Sequence, residues 1–250
     1  MSEEVVELEL AGDGDKLPEM VAAEFERLVS SQTLELFVQR PAMAPILLAE
    51  LQSRYGPAFD WWPLEQRSDG LRIQISPREG LPRTISDFLG SDHHRLSGYW
   101  EEFLQAIKAC EMSYETLFTA EKGHRLAASE RLSHFIFGLR RHIRMEEDCF
   151  FPLFEARSGM PAGSGPTAVM RMEHREIEEI LASMERLLDA HECATLIRVV
   201  EGRPTHPSTL FRNHDSKEEN MLYPLSDRLF SQSEKDQLCL RMQAVMPITH

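Results

Sequence analysis

Two stretches of this chain each place a histidine and a glutamate four residues apart: His142 with Glu146, and His214 with Glu218. Four residues make about one turn of an α-helix, so the two side chains of each pair would lie on one face. The neighbouring Phe, Ile, Leu and Met residues recur at helical spacing on that face, which makes it apolar. An imidazole and a carboxylate buried there need a compensating partner. The repetition predicts the same kind of partner twice.

Two other histidines interrupt apolar stripes of the same kind. His93 is in register with Leu96, and His174 is in register with Ile177. His94 is rotated by about 100° from that line and is expected to face sideways. One histidine on an apolar face is ordinarily a core imidazole, but four of them, twice with a glutamate one turn later, argue against that interpretation. We expect six polar groups to converge in the core: His93, His142, Glu146, His174, His214 and Glu218.

Metal coordination would satisfy these six groups together. Imidazole nitrogens and carboxylate oxygens, with no thiolate among them, suit iron, manganese or zinc rather than copper(I). Six protein ligands exceed the four of a tetrahedral zinc site. They predict instead two metal ions, bridged by the two glutamates. An oxide or hydroxide ion would balance the charge that the two carboxylates leave.

The elements that would position these residues are helices. From Thr84 onward the pattern predicts four amphipathic helices, of which the second spans about Arg125–Ala156, and a shorter closing helix near Ser233–Val245. Four such helices joined by modest loops form an antiparallel bundle whose apolar stripes face one axis. Two prolines within Arg203–Pro207 are expected to delay the fourth helix and to leave His206 near one end of the bundle.

The N-terminal third has a different pattern. Its predicted order is βαβαββ, with strands near Val5–Leu10, Thr33–Val38, Phe59–Gln66 and Leu71–Ile75 and helices near Pro18–Ser30 and Met43–Tyr55. This predicts an α+β fold in two parts: a small two-layer sheet with helices on one face at residues 1–80, and the bundle at residues 84–250. Trp61 and Trp62 are adjacent in a strand, so one should face outward, either exposed as a contact surface or partly covered by a loop.

This third resembles a small family of unknown function related to the TusA-like sulfur-carrier fold. The resemblance lies in the opening strand, Gln39-Arg-Pro41, the leucine-rich second helix and Phe59-Asp-Trp-Trp62. A sulfur carrier needs a cysteine thiolate, and residues 1–109 contain no cysteine. Persulfide transfer is therefore not expected. The remaining hypothesis for this part is docking to a protein partner or formation of a homodimer.

The helical part resembles the hemerythrin-like, or HHE cation-binding, family over about residues 84–230. Order and spacing agree in four motifs: Asp92-His-His-Arg-Leu96, His142-Ile-Arg-Met-Glu-Glu147 with Phe151-Pro152, Met170-Arg-Met-Glu-His-Arg-Glu-Ile177, and His214-Asp-Ser-Lys-Glu-Glu219 with Leu222-Tyr-Pro224. The resemblance implies a non-haem di-iron centre in a four-helix bundle, with the six residues above as ligands and Glu146 and Glu218 as bridges. Manganese or zinc is the alternative metal.

Several residues near these motifs leave alternatives open. Glu178 stands four residues after His174, where oxygen carriers of the family have a second histidine, so one iron would have fewer histidine ligands. His124 and His134 are candidates for an extra ligand. Glu147 and Glu219 are interpreted as parts of a solvated face, with hydrogen bonds to ligand histidines as the alternative. Tyr223 and Trp100 lie near the same layer; core packing is the favoured interpretation, and lining of a small pocket is the alternative. The methionines of the bundle are interpreted as core filler.

Composition excludes several classes of protein. A net charge of -14 without a basic stripe argues against a nucleic-acid partner. No apolar run approaches the roughly 20 residues that span a bilayer, and the N-terminus lacks the form of a signal peptide. The cysteines at 110, 149, 193 and 239 are scattered, as expected of reduced core thiols in a cytoplasmic protein.

Three functions fit these features. The leading hypothesis is reversible binding or sensing of O2 or NO by a protein that is not an enzyme. The second is an enzyme of the nitrosative or oxidative stress response, which repairs iron–sulfur clusters or reduces NO or peroxide. Repair proteins of this kind typically carry a cysteine pair in an N-terminal segment, which this chain lacks. The third hypothesis is iron storage or donation.

Overall fold

The structure is a computed structural model, and it describes residues 4–10, 17–29, 32–67, 69–114, 120–161, 163–189, 193–201 and 207–246. Its order of elements begins with a mixed α/β part and continues with helices only. The α+β fold class and the bundle architecture predicted from the sequence are both confirmed. Among the described residues, no helix is long and apolar enough to cross a membrane.

The N-terminal part forms a four-stranded sheet in the order β1-β2-β4-β3. Its strands are β1 Glu4–Leu10, β2 Gln32–Val38, β3 Phe59–Arg67 and β4 Gly70–Pro77. Strand β2 pairs with β1 in parallel and with β4 in antiparallel orientation, and β4 also pairs antiparallel with β3. The register shifts between Pro63 and Glu65. Proline is tolerated here because β3 lies at the sheet edge, where one side needs no backbone hydrogen bonds.

Both faces of this sheet are covered. Helices α1, Leu17–Phe25, and α2, Ala44–Tyr55, pack with Trp61 in the core of one face. On the opposite face, Trp62 packs in the same cluster as the bundle residues Leu132 and Phe135. Each tryptophan is only 1% exposed. The prediction that the outward tryptophan is exposed or only partly covered is therefore wrong, because a bundle helix packs over β3 on that face.

The helical part contains four rods and two additional helices. Their bounds are α3 Ile85–Tyr114, α4 Ala120–Met145, α5 Phe151–Ser158, α6 Gly165–Asp189, α7 Cys193–Glu201, α8 Pro207–Lys217, α9 Tyr223–Leu229 and α10 Gln232–Gln243. The rods are α3, α4 continued by α5, α6, and α8 continued by α9. Helix α7, between the third and fourth rods, was not predicted. Helix α8 begins directly at the second proline, and His206 lies outside the described residues.

Two rods contain a short π-helical segment, at Glu146–Phe150 and at Glu218–Leu222. Each segment begins with a glutamate of a predicted ligand pair and is followed within two residues by a proline, Pro152 or Pro224. Proline has no N–H and its ring collides with the carbonyl four residues earlier. A wider turn relieves both problems without ending the helix, and such π-helical turns are frequent at functional sites.

The end of the chain ties the bundle to the sheet. The indole Nε1 of Trp61 donates to the carbonyl of Gln243 (2.6 Å), and the Gln243 amide donates to the carbonyl of Phe59 (2.5 Å). The Gln52 amide of α2 donates to the carbonyl of Leu240 (2.8 Å). Because these contacts are buried or half-buried, the C-terminal helix α10 holds the two parts of the chain together.

Some residues assigned to the core are instead at the surface. Val169 and Met221 belong by sequence to the apolar stripes of the third and fourth helices, but they are 45% and 53% exposed, and Met172, interpreted as core filler, is 62% exposed. Their neighbours Met170 and Leu222 are buried, and adjacent residues of a helix are 100° apart, so both members of such a pair cannot face the axis. Among the described side chains, the cysteines at 149 and 239 are free thiols, the first half-buried and the second buried. The side chains at 110 and 193 lie outside the described set.

The contact between α4 and β3 depends on Gly138. A Cβ atom there would lie 2.1 Å from Cζ2 of Trp62. We therefore expect Gly138→Ala to lower the free energy of unfolding by about 1–3 kcal/mol through overpacking, although alanine favours helix. The matched control is Gly98→Ala in α3, where the new Cβ would contact nothing within 4 Å. Urea unfolding should show the control stabilised by up to about 1 kcal/mol. Equal stabilisation of both variants would contradict the described packing.

Candidate metal centre

All six residues predicted to converge do so at the centre of the bundle. His93 comes from α3, His142 from α4, His174 from α6 and His214 from α8, while Glu146 and Glu218 begin the two π-helical segments. None of the six is more than 3% exposed. Among the described residues, two groups could each hold a metal ion, one comprising Glu146, His174, His214 and Glu218 and the other His93, His142 and Glu218.

The histidines are arranged as two pairs. In the first pair, Nε2 of His93 lies 3.0 Å from Nε2 of His142. In the second pair, Nε2 of His174 lies 3.2 Å from Nε2 of His214. Four imidazole nitrogens on four different helices therefore face a common centre.

The two glutamates each span both histidine pairs. Glu218 places Oε2 3.3 Å from Nε2 of His93 and Oε1 3.3 Å from Nε2 of His214. Glu146 places Oε2 3.2 Å from Nε2 of His174 and 3.7 Å from Nε2 of His142. A carboxylate that faces one histidine of each pair has the position required of a bridge between two ions.

The other ring nitrogen of each histidine faces a carboxylate from a neighbouring rod. The Nδ1–carboxylate distances are 2.9 Å for His93 and Glu219, 2.8 Å for His174 and Glu147, 2.9 Å for His214 and Glu173, and 3.6 Å for His142 and Asp92. A carboxylate on Nδ1 fixes the tautomer that carries its proton there and leaves Nε2 as a free lone pair. Hydrogen bonds thus orient His93, His174 and His214 with Nε2 towards the centre, and the longer contact of His142 with Asp92 points the same way.

This arrangement corrects the interpretation of Glu147 and Glu219. Their side chains are 37% and 48% exposed, but each orients a histidine rather than serving only as a solvated face. Asp92 and Glu173 were not identified from the sequence. A signal was present, because every ligand motif has an acidic residue next to a predicted ligand: Asp92 beside His93, Glu147 beside Glu146, Glu173 beside His174, and Glu219 beside Glu218.

The electrostatics of the cluster favour positive charge. Burial works to lower the pKa of both His93 and His174, but hydrogen bonds to carboxylates outweigh it. The pKa of His93 is held well above its usual value, and that of His174 is raised to about 9. Burial, followed by repulsion from Glu146, raises the pKa of Glu218. Burial also acts to raise the pKa of Glu146, but attraction to the surrounding imidazoles, His142 first, lowers it.

The protein's own hydrogen bonds leave this cluster unsatisfied. Oε2 of Glu146 and Oε1 of Glu218 are buried with no hydrogen-bond partner, and so are Nδ1 of His142 and Oδ2 of Asp92. Buried polar atoms without partners are rare because each costs free energy. Two cations between the histidine pairs would bind the unpaired oxygens of Glu146 and Glu218 and the Nε2 atoms of all four histidines. The donor set therefore fits metal ions.

The remaining histidines and Glu178 do not join the cluster. Glu178 turns outward, and its Oε1 lies 2.6 Å from Nη2 of Arg140. His134 is buried against Tyr99, with ring centroids 5.4 Å apart. The side chain of His124 lies outside the described set. Among the described residues, the cluster thus contains four histidines and no fifth.

His134 provides a test by pH. Burial first, and then the charges of Arg131 and Arg72, lower its pKa to about 4. Because its folded-state pKa lies below its ordinary value, the unfolded chain takes up a proton first as the pH falls. The contribution of His134 to the free energy of unfolding is therefore fully present above pH 6.5 and is lost as the pH falls towards 4. At pH 5 the loss is about 2 kcal/mol.

We expect His134→Gln to lose less stability than the wild type between pH 7 and pH 5, as measured by urea unfolding at both values. His94→Gln, at an exposed position of α3, serves as the matched control and should follow the wild-type profile. Identical profiles for all three proteins would show that His134 is not held neutral by its surroundings.

Four amphipathic helices whose histidines and glutamates converge on a common axis define a metal-binding four-helix bundle. The sequence model of the hemerythrin HHE cation-binding domain matches residues 84–226, more than half of the chain. This chain therefore belongs to the hemerythrin HHE cation-binding family. No curated protein and no solved structure matches it. The family match begins at residue 84, so the resemblance of the N-terminal sheet to the TusA-like fold stays a prediction.

Proposed function

We propose that the chain binds two iron ions and that it reversibly binds or senses O2 or NO at them. The proposed ligands are His93, His142, Glu146, His174, His214 and Glu218. The observation that carries the proposal is the convergence of four Nε2 atoms and two carboxylates, each carboxylate facing one histidine of each pair. Six nitrogen and oxygen donors without a thiolate suit iron.

The chain's own residues prepare this centre in two ways. The carboxylates on Nδ1 of His93, His174 and His214 hold these imidazoles in one orientation before any ion binds. Buried aromatic rings keep water away, among them Phe150 and Phe151, which are fully buried beside the cluster. When bound in the reduced state, an iron pair would supply electron density to a diatomic ligand.

A cavity beside the centre supports a small apolar ligand. It has a volume of about 310 Å³, and its walls include Leu96, Phe135 and Ile177. His214 and Asp215 also line this cavity, and the Asp215 carboxylate lies 3.9 Å from Nε2 of His93. O2 and NO are small and weakly polar, so a mostly apolar passage that reaches a ligand histidine suits them.

The proposal is tested by metal analysis and gas binding on protein purified without oxygen. We expect two irons per chain and, after reduction, a change in absorption with NO or O2 that reverts when the gas is removed. Zinc or manganese in place of iron would contradict the choice of metal. Decay of the gas adduct to a new product on repeated turnover would instead support an enzyme of the nitrosative or oxidative stress response.

A further inference from the structure

The hydroxyl of Tyr223 lies inside the ligand cluster. Tyr223 is fully buried. Its oxygen lies 2.6 Å from Oε1 of Glu146, 3.1 Å from Oε2 of Glu218, 3.2 Å from Nε2 of His93 and 3.5 Å from Nε2 of His142. Four of the six proposed ligands therefore surround one phenol oxygen.

The Tyr223 hydroxyl cannot donate a hydrogen bond to each of these four neighbours. A phenol has one proton and can donate it to one acceptor, for which Glu146 at 2.6 Å is the nearest. The second glutamate is also an acceptor. In the neutral form that binds a metal ion, His93 gives its Nδ1 proton to Glu219, at 2.9 Å, and its Nε2 has a lone pair. An oxygen among so many acceptors is well placed beside a cation and poorly placed without one.

The two halves of the bundle differ at this position. Tyr223 stands five residues after Glu218, and Phe151 stands five residues after Glu146, each at the end of its π-helical segment. The two rings occupy equivalent places: Tyr223 lies 5.6 Å from the ring of His93, and Phe151 stacks at 5.7 Å on the ring of His174. Of these two equivalent rings, only the one beside the first histidine pair carries a hydroxyl.

We propose that Tyr223 is a seventh protein ligand, which binds the metal ion held by His93 and His142 and leaves the ion held by His174 and His214 as the one that binds the diatomic gas. This inference rests on the proposed function. Coordination breaks the phenol O–H bond, forms a metal–oxygen bond and releases one proton to solvent.

Two further observations agree with this asymmetry. Glu178, one turn after His174, points away from the centre to Arg140, so the second pair receives no additional donor from α6. Two cavities of the described part of the chain are lined by a histidine of the second pair. One is lined by His214, and the other, of about 260 Å³, is lined by His174.

The first test is the spectrum of the iron-loaded protein after oxidation with ferricyanide. A phenolate bound to iron(III) gives a visible charge-transfer band, and excitation in that band enhances tyrosinate vibrations in the resonance Raman spectrum. We expect both signals in the wild type and neither in Tyr223→Phe, which still binds two irons because phenylalanine occupies the equivalent position in the other half. Tyr99→Phe, whose ring stacks on Trp62 away from the centre, should keep both signals.

A wild-type protein with two irons and no tyrosinate vibrations would overturn the inference and leave the proposed function intact. The same signals in Tyr223→Phe would also overturn it. Failure of the wild type to bind iron would overturn both, and iron analysis separates these results. In the reduced protein we further expect one NO per iron pair in the wild type and two in Tyr223→Phe, since the variant removes the extra ligand. Two NO in the wild type would contradict the asymmetry.

Discussion

Replacing Glu218 with alanine is expected to reduce bound iron from two ions per chain to one or none and to lower the thermal stability of the protein at the same time. Glu218 is the one residue that belongs to both possible metal groups, because its two oxygens face histidines of different pairs. Loss of metal would leave buried imidazoles and Glu146 without a cation, and metal-binding free energy contributes directly to folding. Iron analysis and calorimetry on the same preparations measure both effects.

The controls separate a bridging ligand from an orienting residue. Glu146→Ala should behave like Glu218→Ala, because Glu146 also faces both pairs. Glu219→Ala removes only the carboxylate on Nδ1 of His93, so we expect an affinity loss of about 10- to 100-fold with two irons still bound at saturation. His94→Ala should leave iron binding unchanged. If Glu218→Ala keeps two tightly bound irons, the bridging assignment is wrong.

The second large effect is expected at Arg141, which connects the sheet to the metal centre. Its guanidinium is 1% exposed and lies 4.3 Å from the ring of Trp61. Nε donates to the carbonyl of Val245 (3.2 Å), and Nη1 lies 3.9 Å from Oδ2 of Asp92, which in turn lies 3.6 Å from Nδ1 of His142. The buried Arg141 guanidinium therefore connects Trp61 of strand β3 with Val245 and, through Asp92, with the proposed ligand His142.

We expect Arg141→Met to lower the free energy of unfolding by about 3–5 kcal/mol, because the buried Asp92 carboxylate loses the guanidinium that compensates it most and keeps only His142 and Arg95. The expected consequence at the centre is weaker binding of the ion held by His142. The matched control is Arg144→Met, one turn along α4. Arg144 is 35% exposed, and its contacts with Asp148 and with the carbonyl of Met246 are each worth about 1 kcal/mol or less. Urea unfolding that shows equal losses for the two variants would contradict this role of Arg141.

The sequence was sufficient to predict what depends on periodicity. Each proposed ligand interrupts an apolar stripe, so the convergence of six residues followed from the requirement that all four stripes face one axis. The strand order in the chain followed in the same way from short apolar runs separated by Gly and Pro. Both predictions rest on local patterns that tertiary structure did not override.

The packing of the sheet against the bundle could not be predicted from these local patterns. Strand alternation shows that Trp61 and Trp62 point in opposite directions, but it cannot show that α4 covers the second face. Gly138 is the partner that makes this contact possible, and nothing near it in sequence indicates that role. Docking of the sheet to another protein stays a prediction, and its proposed contact residue, Trp62, is used within the chain.

The two π-helical segments explain why the role of Tyr223 was missed. Each segment changes the angle of the residues that follow it relative to a regular helix. Counting 100° per residue from Glu218 would therefore misplace Tyr223, for which core packing was the favoured interpretation. The acidic neighbours of the ligands, such as Asp92 and Glu173, were missed for another reason: each contacts a histidine of a different rod, which a pattern within one helix cannot reveal.

The central claim is that two metal ions lie between the histidine pairs. Its most direct test is a crystal of the protein loaded with iron and an anomalous difference map recorded at the iron absorption edge. We predict two peaks inside the bundle, one beside His93 and His142 and the other beside His174 and His214, with Glu218 between them. A single peak, or peaks only at other positions in a crystal whose protein is shown to contain iron, would contradict the account.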